Sequence, residues 1–306
     1  MTAAVERRAP SERPITEVAD LTGRSDAAGL AHLAGHLALV GLLGWAVAAT
    51  AMPWRLAPML GLGIALVFLF APLHETIHRT AFARRRLNEA VSVLCGLVLI
   101  LPPRHFRAYH MAHHRWTQDP ARDPELMHPK SASLAGYWIS LSGLPYWQVA
   151  VGGLLRHAAG RLDDAPFVPP RDRAGVVREA RGFVVVYLAV AGAAVAVGSW
   201  APLTYWVVPV VLGQPFLRAM LMAEHGARPQ VPDMLSNTRT TRADPISRFL
   251  MWNMNYHAEH HAYPGIPFHA LPRLHDRLAN RIAAVAPHYP QAHREIRAGL
   301  VGRPPG

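Results

Sequence analysis

Cysteine and lysine are almost missing from this chain. Cys95 is the only cysteine, which excludes an intrachain disulfide, a CxxC redox pair and any cysteine-based zinc site. Lys130 is the only lysine among 31 basic residues, so the formal net charge of +11 is carried by arginine. There is no G-x-G-x-x-G or P-loop pattern, and too little unassigned chain remains for a fused haem or flavin domain. Aromatic-interleaved basic tracts are also missing. The arginines lie between apolar runs, so lipid headgroups, and not nucleic acid, are their expected contact. The first thirty residues carry no cleavable signal pattern, and positions 1–29 read as a flexible cytoplasmic arm.

What the chain has is apolar length. Hydrophobic residues make up 51% of it, and four runs are long enough to cross a bilayer, at about 31–52, 54–73, 183–200 and 202–222. The first two form a hairpin around Pro53, and the second two break near Ser199-Trp200-Ala201-Pro202. Both of these turns together hold only Arg55, whereas Arg79, Arg84, Arg85, Arg86, Arg104, Arg107 and Arg115 lie on the other side. The positive-inside rule makes that richer side cytoplasmic, with both termini, and a bacterial inner membrane is the expected location. Two further apolar stretches, 90–101 and 134–155, are short or interrupted by polar residues and proline, and read as re-entrant or interfacial. The expected fold is all-α: a polytopic membrane domain over 30–285 with four transmembrane helices and a helical cytoplasmic cap (74–182 and 223–285), then a tail over 286–306.

Histidine clusters follow the apolar runs: His74-Glu75-Thr76-Ile77-His78, His110-Met111-Ala112-His113-His114 and His257-Ala258-Glu259-His260-His261. Residues three and four apart share a helix face, so each cluster can turn two or three imidazoles towards one centre. Four spans put all three clusters on one side of the membrane. Eight imidazoles are too many for a single ion and call for two, and zinc in particular usually stops at four ligands. Imidazole itself suits iron, copper, zinc and nickel alike. His74 to His78 also reads as HExxH, the zinc-protease pattern in which the glutamate is the base, but that reading leaves both HxxHH clusters unexplained. A non-catalytic metal-binding membrane protein is the remaining alternative. His32 and His36, at the entry to the first span, read as interfacial.

Other polar residues near the clusters carry two readings each. Glu75, Glu224 and Glu259 adjoin clustered histidines and either hold an imidazole N–H or are solvated helix-face charges. Asn253, four residues before His257, is expected on the same helical face, where it orients water or an imidazole. Asp119, Asp123 and Glu125 read as helix caps or partners of Arg115. His105, His128, His157, His269, His275, His288 and His293 lack the cluster spacing and receive no metal role.

HETIH, HMAHHRWTQDPARDPE and NYHAEHHAYPGIP resemble the three histidine boxes of the membrane fatty acid desaturase superfamily, which also contains hydroxylases and ketolases. The likeness runs from about 72 to 275. It implies two iron ions at the cytoplasmic membrane surface, O2 as co-substrate, and electrons from an external donor such as ferredoxin with its reductase. It implies a lipid or acyl substrate and, as the favoured reaction, the introduction of a double bond. Hydroxylation or ketolation of a lipid or small molecule is the nearest rival. Members carry a further ligand histidine after the last span, and His225 in Ala223-Glu224-His225-Gly226 resembles it. The resemblance thus implies nine ligands: His74, His78, His110, His113, His114, His225, His257, His260 and His261.

Overall fold

The computed structural model describes residues 15–127 and 133–301. The first fourteen residues of the expected arm, His128, Lys130 and the last five residues of the expected tail lie outside the described residues. Among the described residues fourteen α-helices follow one another: α1 (Asp26–Ala49), α2 (Leu56–Val67), α3 (Phe70–His78), α4 (Arg85–Leu99), α5 (Pro103–Trp116), α6 (Leu134–Leu141) and α7 (Leu144–Ala158) form the first half. The second half holds α8 (Pro170–Ala196), α9 (Val208–His225), α10 (Met234–Asn237), α11 (Pro245–Leu250), α12 (His257–Ala262), α13 (Leu271–Leu278) and α14 (Tyr289–Val301). Two-residue strands β1 (Thr240–Thr241) and β2 (Val285–Ala286) pair in parallel, and they are the only strands among the described residues.

Among the described residues four helical segments are long and apolar enough to cross a membrane: Asp26–Ala49, Leu56–His78, Pro170–Ala196 and Leu203–His225. Their burial divides them by role. Only 11% of the apolar window is covered in the first and third, against 61% and 39% in the second and fourth. The outer pair therefore turns side chains such as Trp45, Leu188 and Val195 outward, where lipid tails are the compatible surroundings. The inner pair carries histidines at its ends.

The inner pair packs almost backbone to backbone. A Cβ added to Gly63 of α2 would sit 1.9 Å from the Pro209 carbonyl oxygen of α9, and one on Gly213 would sit 2.3 Å from the Gly63 carbonyl carbon. Small residues allow this approach, which bilayer helices use in place of a hydrophobic driving force.

Between the spans, α4 and α5 meet at 96°. Ile100 adopts a left-handed conformation (φ 55°), and Pro103 occupies the first turn of α5, where a missing N–H costs nothing. Helices α6 and α7 fold back on each other at Gly143 (φ 77°) and lean on α9 and α8. Leu144, Trp138, Ile139 and Leu155 remain exposed, as expected for helices at a lipid surface.

Residues 15–29 differ from the expected flexible arm. A 3₁₀ turn over Ile15–Leu21 buries Val18 and Leu21, three residues apart and therefore eclipsed on that helix. Asp20 pairs with Arg277 at 2.6 Å and Glu17 with Arg281 at 3.1 Å, which fastens the turn to the α13 region. Helix α1 then starts at Asp26, capped by the Ser25 hydroxyl.

Candidate metal centre

Each box is placed by a different local device. His74 and His78 lie one turn apart at the end of α3, which stops at Arg79 in a left-handed conformation. His110, His113 and His114 occupy the last two turns of α5. His257, His260 and His261 sit on α12, a helix of only six residues that ends just before Pro264. His225 is the last residue of α9.

The nine imidazoles meet in one buried region and separate into two adjoining sets. Ligand-type nitrogens of His74, His78, His110, His114 and His260 all lie within 4.8 Å of one another. Those of His113, His225 and His261 form a second such group, and Glu224, His225 and His257 a third that shares His225. The His114 and His261 rings stack at 4.1 Å and join the sets.

The nitrogens present fit cations. His114 Nε2 lies 2.9 Å from His110 Nε2 and 3.2 Å from His260 Nε2, and His225 Nε2 lies 3.2 Å from His113 Nε2 and 3.0 Å from His257 Nε2. Lone pairs crowded this closely repel unless a proton or a metal cation lies between them. His74 Nε2, His78 Nε2 and His261 Nε2 are buried with no hydrogen-bond partner. Burial, reinforced by the charge of His113, pushes the His260 pKa down to about 3. Burial and neighbouring histidines lower His257 and His261 in the same direction. All three rings therefore stay neutral at ordinary pH, the form that binds a metal.

Two tautomers are set by Asp123, which the sequence offered only as a cap or ion-pair partner, and by Thr117, which it did not single out. His113 Nδ1–H donates to the buried Asp123 carboxylate at 2.9 Å, which leaves Nε2 facing His225. Thr117 Oγ1 donates to the His113 carbonyl at 2.7 Å, so its lone pair accepts from His261 Nδ1–H at 3.1 Å, and His261 Nε2 is left bare. Asp123 also accepts from the Gln118 and Glu125 backbone N–H groups, so its expected capping role holds in addition. Asp119 pairs with Arg122 at 3.2 Å, not with Arg115. The only hint in the sequence was an acid in the loop directly after the second box.

The four anticipated polar helpers part company. Glu224 Oε1 lies 3.4 Å from His257 Nδ1, within ion-pair reach of a clustered imidazole. Glu75 instead accepts from Thr80 Oγ1 at 2.6 Å and from the Phe268 N–H at 3.3 Å, tying α3 to the 268 segment. Glu259 is bound by Thr240 Oγ1 and His275 Nδ1, so it anchors α12 to β1 and α13. Asn253 is not on a helix with His257. It sits at φ 59° in the turn before α12, where its amide donates to the Phe268 carbonyl at 3.1 Å and accepts from Arg248 at 3.4 Å. Its expected face was wrong because α12 does not extend back past His257. His32 and His36 bond to the Phe249 and Ala65 carbonyls, both at 2.8 Å, and act in packing.

Asp123→Asn tests the tautomer argument. Partners of this kind carry about 10–100-fold in metal affinity. The variant is expected to lose metal about tenfold more readily in a chelator titration while its melting temperature changes little.

The sequence matches the family described as fatty acid desaturase over residues 49–293. It is 25% identical over 233 residues to an sn-1 oleoyl-lipid 12-desaturase of Picosynechococcus sp., covering 70% of this chain and 65% of that protein. An sn-1 oleoyl-lipid 12-desaturase of Anabaena variabilis is 25% identical over 266 residues, covering 83% of this chain and 63% of the relative. A sphingolipid delta(4)-desaturase of Drosophila melanogaster is 24% identical over 242 residues, covering 74% and 66%. The chain thus spans a little under two thirds of the length of the first two relatives.

Proposed function

The chain belongs to the fatty acid desaturase family, and on that footing we propose that it is an O2-dependent di-iron oxidoreductase that introduces a double bond into a fatty acyl or lipid substrate. The observation that carries this reading is the convergence of nine imidazoles as two adjoining nitrogen-rich sets. In this reading His74, His78, His110, His114 and His260 hold one iron, and His113, His225, His257 and His261 hold the other. Bound there, the irons would supply the reduction of O2 that makes hydrogen removal from an unactivated C–H bond possible.

The residues of the chain have separate tasks. Asp123 and Thr117 hold the rings of His113 and His261 in the tautomer that presents Nε2. Buried apolar side chains around the boxes, among them Leu73, Phe106 and Ala258, exclude bulk water. The inner spans end at the histidines, which places the site at one end of two apolar segments. A zinc protease would use only His74 and His78 of these rings and would leave His110, His114 and His260, gathered with them, without a task.

Each double bond formed needs two electrons and two protons from outside, and we assign their delivery to a ferredoxin with its reductase. The argument is electrostatic. Arg85 and Arg86 are exposed at the start of α4, and the half-buried Arg107 lies near Arg85 on one side and His78 on the other. Arg84 and Arg85 each hold an ion pair, with Asp26 at 3.1 Å and with Glu89 at 2.6 Å. Reversing Arg85 and Arg86 to glutamate is expected to slow reduction by an acidic carrier severalfold at low salt and much less at high salt. Equal rates at low salt would remove this surface from consideration. The same arginines support an orientation with the site and both termini in the cytoplasm of a bacterial inner membrane.

The reading is tested on the purified full chain by metal analysis and product mass spectrometry. Two irons per chain and a product lacking two hydrogens are expected. A product gaining one oxygen would make the protein a hydroxylase using the same centre, and one zinc per chain with no oxidation would overturn the proposal.

A further inference from the structure

Some of the least satisfied polar atoms outside the histidine centre lie on α9 and α7. Gln214 is fully buried, yet neither its Oε1 nor its Nε2 has a hydrogen-bond partner. Arg218, one turn further along α9, has its Nε buried and unpartnered, with its guanidinium 4.7 Å from the Tyr146 ring. Trp147, next to Tyr146 on α7, has a buried and unpartnered Nε1. The turn that carries α7 into this region is pressed onto the same place, since a Cβ on Gly143 would come within 2.3 Å of the Gln214 side chain. Native proteins satisfy more than about nine in ten buried polar groups. Arg218 and Trp147 both lie against the Tyr146 ring, at 4.7 and 4.9 Å, and the four unmet atoms call for a partner that is not part of the described chain.

The position on α9 says where that partner lies. Residues seven and eleven apart return to nearly the same helix face. Arg218 and Gln214 are seven and eleven residues before His225, so one stripe of α9 carries His225, Arg218 and Gln214. At 1.5 Å per residue, Arg218 is about 10 Å along the axis from His225. The unmet set is rich in donors (Arg218 Nε–H, Trp147 Nε1–H and the Gln214 amide) and includes a cation, with a single acceptor, Gln214 Oε1. Tyr146 is not available to it, because its hydroxyl donates to the Leu99 carbonyl at 2.7 Å.

We propose that Gln214, Arg218 and Trp147 form a polar subsite that binds a carboxyl oxygen of the substrate, as a carboxylate or an ester carbonyl, and so sets which carbon reaches the histidine centre. This rests on the desaturase reading for the reaction, but not for the binding. The three residues are specificity-determining, since they hold one end of a chain whose other part reacts about 10 Å away.

The test uses full-length protein in nanodiscs and three probes of equal chain length: octadecanoate, methyl octadecanoate and octadecane. Binding is read by thermal shift and tryptophan fluorescence, and iron per chain is measured for every sample. At least one oxygenated probe is expected to bind about tenfold more tightly than octadecane, as one or more satisfied buried hydrogen bonds allow. A preference for the anion identifies a free acid, and one for the ester identifies a lipid. Trp147→Phe keeps an aromatic side chain and removes the N–H with the pyrrole half of the indole, and with Gln214→Leu and Arg218→Leu it should abolish the preference while iron per chain holds. Equal binding of octadecane, or an undiminished preference in Trp147→Phe and Gln214→Leu, overturns the subsite and leaves ordered water as the partner. Selective binding by a protein without iron or unsaturated product would instead sink the desaturase reading and leave the subsite standing.

Discussion

His260→Ala is expected to cost at least about a thousandfold in product formation, because removing a ligand must exceed the 10–100-fold effect of removing a ligand's partner. His260 is fully buried, and its Nε2 lies 3.2 Å from that of His114 at the core of the five-histidine set. The variant should release the iron of that set first, so iron per chain falls before the helical signal changes. His269→Ala is the control. His269 is outside both sets, and its replacement should leave iron content unchanged. Full activity in His260→Ala would contradict the ligand assignment.

Gly63→Val is expected to produce the largest loss of stability. A Cβ at this position meets the Pro209 carbonyl oxygen at 1.9 Å, and that atom is backbone, unable to swing aside as a long side chain can. Overpacking costs about 1–3 kcal/mol where neighbours can yield, and a rigid carbonyl puts this case at or beyond the upper end. The two spans, Leu56–His78 and Leu203–His225, must separate, and they carry His74 and His78 at the end of one and His225 at the end of the other. Thermal melting should drop by roughly 5–10 °C, with iron from both sets lost together. That pattern separates it from His260→Ala, in which iron loss precedes unfolding. An unchanged melting temperature and full iron content would show that the close approach of α2 and α9 is dispensable.

Much of the architecture was legible because its signals are local. An apolar run long enough for a bilayer can be counted, and imidazoles three and four apart can be assigned to one face without knowing what the face meets. His225 is different: it stands alone at the end of α9, and only its resemblance to a family position brought it into the set. The Gly63–Gly213 crossing was not legible, since each glycine lies inside an ordinary apolar run and the contact joins distant parts of the chain. Thr117 was missed for the same reason, as it meets His261 across 144 positions. Asn253 failed in the opposite way. A helical face was extended backward through residues that form a left-handed turn instead.

Residue order alone therefore singled out the clustered histidines and decided which segments are apolar enough to enter a membrane. How nine imidazoles divide into five and four, and which neighbour holds the second nitrogen of His113 and His261, was decided only by the packed molecule. The reason is geometric. Spacing along a helix specifies an angle about that helix's own axis, whereas the sharing of ligands depends on how α3, α5, α9 and α12 are rotated and placed relative to one another, through contacts between residues far apart in the chain.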